Sequence, residues 1–124
     1  MYILLDAHAF LWWITDAPRL GSSAREAIGD PANQIVVGIG ALWEIAIKRS
    51  RGQLRFPFDF ETVLQGEGFG VLPVTYAHLR TLDTLPHHHG DPFDRMLIAQ
   101  SLADRIPVAT ADRRFAAYGV DILW

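Results

Sequence analysis

Four carboxylic acids stand at positions where a parallel sheet would bring them together. Asp6 directly follows the first apolar run, and Asp112 lies two residues beyond a later strand-like run. Both side chains should emerge at the same edge of the sheet, which is where open parallel sheets bind their ligands. Asp94 falls in the first turn of a predicted helix, and Glu44 is embedded among apolar neighbours. These four acids are the candidate site.

Such a cluster of acids would have a definite chemistry. Two carboxylates about 4 Å apart repel by up to ~4 kcal/mol at an effective dielectric constant near 20. A cluster of four therefore needs a cation or shared protons. Hard oxygen ligands favour Mg²⁺ or Mn²⁺ over zinc, and proteins commonly hold Mg²⁺ in this way for phosphate chemistry.

Each acid also has a purely structural interpretation. Asp6 is suited to cap the next helix, and Asp94 to be the N3 partner of Asp91 in a capping box. Asp112 is a common turn residue, and Glu44 has Lys48 four residues later, in the favourable order for a helical ion pair. By pattern alone, both interpretations stay open.

Apolar periodicity, capping residues and turn residues predict the elements that must position these acids. The predicted strands are Tyr2–Leu5, Gln34–Gly38, Val71–Val74, Val108–Thr110 and Val120–Leu123. The predicted helices are Ala7–Ile14, Leu20–Ile28, Ala41–Arg51, Phe58–Leu64, Thr75–Leu85 and Asp91–Arg105. Ser23 and Glu26 have the spacing of a capping box, and Asp91-Pro92 is a typical helix start. Strands alternating with helices predict an α/β fold with a mostly parallel central sheet flanked by helices.

The composition is typical of one globular domain, residues 1–124. Half of the 124 residues are apolar, a fifth are charged, the formal net charge is −3, and there is no cysteine. Thiol nucleophiles and cysteine-ligated zinc are thereby excluded. No stretch approaches the ~20 apolar residues of a membrane span, and no basic region precedes the first apolar run. We therefore expect a cytoplasmic protein, and RNA binding would need a local basic patch or a bound cation.

Four segments, in order along the chain, resemble the motifs of PIN domains, and most closely those of VapC toxins from bacterial toxin–antitoxin pairs. The segments are Met1–Asp6, Leu42–Lys48, Asp91–Gln100 and Thr110–Phe115. The resemblance implies a three-layer PIN-like fold and cleavage of single-stranded RNA. It also implies that Asp6, Glu44, Asp94 and Asp112 hold Mg²⁺ or Mn²⁺. Its further implications are a homodimer and a small antitoxin whose C-terminal segment lies in the active-site groove.

Basic residues near the acids are candidate RNA contacts. Lys48 and Arg51 follow Glu44 by four and seven residues, on the same predicted helix face. Arg95 and Arg113 adjoin Asp94 and Asp112 and are weaker candidates, as is Arg114. The structural alternative is a solvated face on which these cations pair with nearby acids.

The run His87-His88-His89 suggests a metal site but is better explained as a solvated loop. Three consecutive side chains in a loop rarely point at one ion, and the acids already offer harder ligands. We expect these histidines to lie in solvent.

The sequence predicts a Mg²⁺- or Mn²⁺-dependent endoribonuclease that an antitoxin inhibits. The alternative is a PIN-like module that binds RNA or protein without cleaving. A phosphatase or a signalling receiver is disfavoured, because Asp6-Ala7-His8 lacks the second acid of a D-x-D motif and Lys48 is the only lysine.

Overall fold

A computed structural model describes residues 1–124 as alternating strands and helices. The strands are β1 (Tyr2–Leu5), β2 (Gln34–Gly38), β3 (Gly70–Leu72), β4 (Val108–Ala109) and β5 (Ile122–Leu123). The helices are α1 (Ala7–Ile14), α2 (Ser22–Gly29), α3 (Ile39–Ser50), α4 (Phe60–Glu67), α5 (Tyr76–Asp83) and α6 (Pro92–Asp104), and a 3₁₀ helix covers Arg113–Tyr118. All strand pairs are parallel, in the order β3-β2-β1-β4-β5. The predicted α/β class with a parallel central sheet is confirmed.

Helices cover both faces of the sheet, because the central strand β1 is apolar on both. Ile3 and Leu5 point to one face, where they share a core with buried residues of α1, α2, α3 and α4. Leu4 points to the other face and packs with buried residues of α6 and the 3₁₀ helix. Alternate side chains of a strand point to opposite faces, so one fully apolar strand anchors both layers.

The predicted capping box of the second helix is wrong. Helix α2 begins at Ser22, and its N-cap is Gly21, which makes no side-chain cap. The Ser23 amide donates instead to the carbonyl oxygen of Trp124 at 3.0 Å. A side chain at Gly21 would have its Cβ 2.6 Å from the Trp124 carbonyl carbon. Trp124 therefore caps α2, and only glycine at position 21 leaves space for its backbone.

Other boundaries differ by a few residues. β3 ends at Leu72, since Pro73 cannot continue the ladder, and α3 begins at Ile39, immediately after β2. Helix α6 starts at Pro92 with Asp91 as its N-cap, as predicted. None of the helices has the length and apolar character needed to cross a bilayer.

Candidate active site

An acidic cavity of about 430 Å³ lies beyond the carboxyl ends of β1 and β4. The structure brings all four predicted acids to it. The lining residues are Asp6, Ala7, His8, Glu44, Lys48, Asp91, Asp94, Ala111, Asp112 and Arg114.

Asp6 is placed at the cavity by β1 and held there by the start of α1. Its Oδ1 accepts a hydrogen bond from the Ala9 amide at 2.7 Å, so it also caps α1. Burial raises the pKa of Asp6, against hydrogen bonds from Thr110 and Ala9 that act to lower it. The structural interpretation of Asp6 therefore holds, and the side chain lines the cavity as well.

Asp94 is available to the cavity because its capping box is only half formed. The Asp91 carboxylate accepts hydrogen bonds from the amides of Phe93 and Asp94 at 2.8 and 3.1 Å. In a complete box the Asp94 side chain would bind the Asp91 amide in return. That amide donates instead to Nδ1 of His89, at 3.0 Å. The Asp94 carboxylate therefore does not cap the helix and is free to line the cavity.

Asp94 and Asp112 titrate in opposite directions although they share the cavity. Burial, followed by the neighbouring carboxylate of Asp91, raises the pKa of Asp94 to about 7. Hydrogen bonds from the Arg114 side chain lower the pKa of Asp112 to about 2, with a further contribution from His89. The Arg114 guanidinium contacts both Asp112 oxygens, at 3.0 and 2.8 Å. Only one of the two acids has a cation as a direct partner.

Glu44 enters from α3 and forms the ion pair that the sequence allowed. Lys48 Nζ lies 2.9 Å from a Glu44 carboxylate oxygen. The Glu44 side chain is 14% exposed and that of Lys48 is 43% exposed. The pair therefore spans from the cavity wall to solvent.

The expectation that all three histidines lie in solvent is wrong for His89. His87 and His88 are exposed, but His89 is 3% exposed. Its Nε2 lies 2.8 Å from Oδ2 of Asp112 and 3.2 Å from Oδ2 of Asp94. The sequence signal that could have revealed this is the position of His89, two residues before the N-cap of the helix that carries Asp94.

His89 also belongs to the tightest group of ligand atoms. One ligand atom each of His89, Asp94 and Asp112 lies within 4.8 Å of the other two. Asp6 and Glu44 line the same cavity without belonging to that trio. The arrangement could hold a cation between carboxylate oxygens, with the histidine beside it.

Of the four basic residues predicted first as RNA contacts (Lys48, Arg51, Arg95 and Arg113), the structure places only Lys48 at the cavity. Arg51 caps the end of α3, and Arg113 is exposed at the start of the 3₁₀ helix; neither lines the cavity. The Arg95 guanidinium donates hydrogen bonds to loop carbonyls, including that of Pro86 at 2.7 Å. Arg114, a weaker candidate, does line the cavity.

Comparison with known proteins identifies the fold and a family. The family model of the PIN domain matches residues 3–121. Ribonuclease VapC22 of Mycobacterium tuberculosis is 29% identical over 119 residues, which is 94% of this chain and 91% of that protein.

Three similar crystal structures agree on the fold. VapBC2 from Rickettsia felis, bound to a promoter DNA fragment, has a TM-score of 0.70 at 12% identity, covering 98% of this chain and 97% of that one. VapBC-1 from nontypeable Haemophilus influenzae has a TM-score of 0.65 at 14% identity, covering 98% and 96%. FitAcB from Neisseria gonorrhoeae has a TM-score of 0.63 at 16% identity, covering 97% and 95%.

Proposed function

Because the chain belongs to the PIN domain family, we propose that it is a metal-dependent endoribonuclease and the toxin of a toxin–antitoxin pair. The observation that carries the proposal is the convergence of four carboxylates, from four separate segments of the chain, on one cavity. The ribonuclease VapC22, similar over nearly the whole chain, supports RNA as the substrate class.

The residues of the cavity fit Mg²⁺ or Mn²⁺. Its acids offer oxygen ligands, which these ions prefer. The raised pKa of Asp94, to about 7, reflects burial and the neighbouring carboxylates of Asp91, Asp6 and Glu44. A divalent cation would relieve that excess of negative charge. Asp6, Asp94 and Asp112 would hold the ion, and Glu44 would complete the cluster.

When bound, the cation would lower the pKa of a water molecule and stabilise charge that develops on the phosphate oxygens. The protein's own side chains would do the rest. Glu44, from a different helix, would orient the attacking water and accept its proton. Lys48 and Arg114 are the cations at the cavity, and both are partly exposed, so they can turn towards an RNA phosphate.

The proposed partners are RNA, a second copy of the chain and a small antitoxin protein, all in the cytoplasm. An exposed apolar surface on α3, the helix that carries Glu44, supports a protein partner. Trp43 is 63% exposed and Ile39 is 43% exposed on α3. Two apolar grooves flank Trp43, one against α4 and the other towards α6. Exposed apolar surface of this kind commonly marks a binding site.

Incubation of the purified chain, free of antitoxin, with a mixed pool of single-stranded and structured RNA tests the proposal. Mn²⁺ should permit cleavage and EDTA should stop it, and mapping the new ends would identify the target. Asp94→Asn, which removes one acid in almost the same volume, should be inactive under all conditions. RNA binding without any metal-dependent cleavage would contradict the proposal and favour a non-catalytic PIN-like binding module.

A further inference from the structure

The loop before α6 places a buried histidine, His89, against Asp94 and Asp112, two of the acids that line the cavity. The His89 side chain is 1% exposed, and its Nε2 faces one oxygen of Asp112 and one of Asp94, at 2.8 and 3.2 Å. A polar ring that is so fully buried must satisfy both of its nitrogens within the protein. Both are satisfied, because Nδ1 is 3.0 Å from the Asp91 amide.

The hydrogen bond from Asp91 fixes the role of each ring nitrogen. An amide N–H can only donate, so Nδ1 of His89 must be the acceptor. In the neutral ring the proton is then on Nε2, which donates to the Asp112 carboxylate at 2.8 Å and has an Asp94 oxygen 3.2 Å away. A nitrogen that carries a proton has no lone pair for a metal ion. Ligation through Nε2 would require Nδ1 to carry the proton instead, directly against the Asp91 N–H.

The backbone of His89 is held as firmly as its ring. Its amide donates to the Tyr118 hydroxyl at 2.8 Å, across 29 positions of sequence. The Arg95 guanidinium reaches the same hydroxyl at 3.3 Å and also donates to the carbonyl oxygens of Pro86 and Leu85. Arg95, predicted as an RNA contact, thus supports the loop that presents the histidine.

Arg114 and His89 differ in how easily they can leave Asp112. The Arg114 side chain is 64% exposed, so it can move aside when another cation approaches Asp112. His89 is buried and held at both ring nitrogens and at its amide, so it must stay. Asp112 therefore has two partners that are fixed in place, the His89 ring and the Arg114 backbone amide, which donates to Oδ1 at 3.0 Å.

We propose that His89 is a positioning residue of the metal site: its Nε2–H orients the carboxylates of Asp94 and Asp112 towards a divalent cation that it does not itself bind. The inference rests on the proposed function, since it requires that the cavity take up Mg²⁺ or Mn²⁺. Hydrogen bonds that orient ligands typically contribute 10- to 100-fold to metal affinity or activity.

Mn²⁺ titration of the purified chain, with free Mn²⁺ measured by electron paramagnetic resonance, tests the positioning role. His89→Phe removes both ring nitrogens and should weaken Mn²⁺ binding by about 10- to 100-fold. His89→Gln keeps an N–H at a similar distance from Cβ and should restore most of the affinity. His78→Phe is the matched control, because His78 is also buried and hydrogen-bonded but contacts Asp104, an acid that does not line the cavity. It should bind Mn²⁺ like the wild type.

Nitrogen NMR of the wild-type histidines tests the second half of the proposal and needs no variant that could fail to fold. Long-range ¹H–¹⁵N correlation should show Nε2 of His89 protonated both before and after saturation with Mg²⁺. Loss of that proton on Mg²⁺ binding would make His89 a ligand and overturn the proposal.

Equal Mn²⁺ affinity of folded His89→Phe and the wild type would also overturn it. If the wild type itself bound neither ion, the proposed function would fail first. The two failures are therefore distinguishable.

Discussion

Two buried histidines near opposite ends of α6 make the same kinds of hydrogen bond but with different consequences. His78, on α5, accepts the Thr75 amide at Nδ1 (3.0 Å), and its Nε2 lies 2.9 Å from the Asp104 carboxylate. His89 likewise accepts an amide at Nδ1 and faces a carboxylate with Nε2. Neither burial nor hydrogen bonding distinguishes the two.

The carboxylates distinguish them. His78 faces a single acid at the end of α6, and the pair fastens α5 to α6. His89 faces two acids from different elements, and both line the cavity. A single acid can be neutralised by one hydrogen-bonded partner, whereas a cluster of acids keeps excess negative charge. A functional site is therefore marked by uncompensated charge around a polar group rather than by the polar group itself.

The largest expected difference is in cleavage. Asp94→Asn should abolish metal-dependent RNA cleavage, because it removes a proposed ligand. Asp104→Asn, the same change at the carboxylate of the other histidine, should leave the cleavage rate unchanged. Rates measured under single-turnover conditions with Mn²⁺ check both. Comparable losses in the two variants would mean that the two histidine sites do not differ in function.

At alkaline pH the free energy of unfolding should rise in Asp94→Asn and fall in Asp104→Asn. Folded Asp94 keeps its proton up to about pH 7, whereas the unfolded chain releases it near the ordinary value of 3.8. The folded state thus binds more protons between those values, so the metal-free protein should lose stability as pH rises from about 4 to 7. At pH 8, the free energy of unfolding of Asp94→Asn should therefore exceed that of the metal-free wild type by up to about 4 kcal/mol. Asp104→Asn should lose about 1 kcal/mol, the worth of its hydrogen bond to His78.

Urea denaturation at pH 5 and pH 8, in buffer with EDTA, measures both effects. The gain in Asp94→Asn should shrink towards pH 5, and the loss in Asp104→Asn should stay nearly constant. A wild-type protein equally stable at both pH values would show that Asp94 carries no excess charge.

Metal binding should stabilise the folded protein through the acids of the cavity and not through Asp104. At about 100 times its dissociation constant, Mg²⁺ or Mn²⁺ should add about 2.7 kcal/mol to the free energy of unfolding. Asp104→Asn should show the same gain, and Asp94→Asn little or none. Thermal denaturation with and without the ion measures this, and an unchanged midpoint in the metal-free wild type would count against the site.

The smallest effect concerns two basic side chains, one that lines the cavity and one that does not. Lys48 lies at the cavity, whereas Arg80 is exposed on α5. If Lys48 contacts an RNA phosphate, Lys48→Gln should reduce the slope of log affinity against log salt by about 0.7. Arg80→Gln should leave the slope unchanged. Binding is measured in Ca²⁺ to suppress cleavage, and equal slopes in all three proteins would assign Lys48 to its ion pair with Glu44 alone.

The order of residues along the chain is enough to predict the parallel sheet, most helix limits and the meeting of the four acids. Strand β1 is identified by an uninterrupted apolar run, and Asp91-Pro92 sets the start of α6. Asp6 and Asp112 meet because parallel strands put their carboxyl ends at one edge, so position along the chain already implies position in space. These are local signals, or consequences of one topological rule.

Which polar residues accompany the acids depends on the packing of distant segments. His89 is hydrogen-bonded to Asp112, and Arg95 to Tyr118, and each pair is separated by 23 positions in the sequence. Trp124 displaces a capping box that the local pattern favoured at Ser23. Hydrogen bonds between distant segments depend on how the layers pack, and the local sequence carries no periodic signal for them. The local sequence around a loop histidine is therefore the same whether the side chain lies in solvent or between two carboxylates. The two cases differ in burial, which is a property of the whole fold.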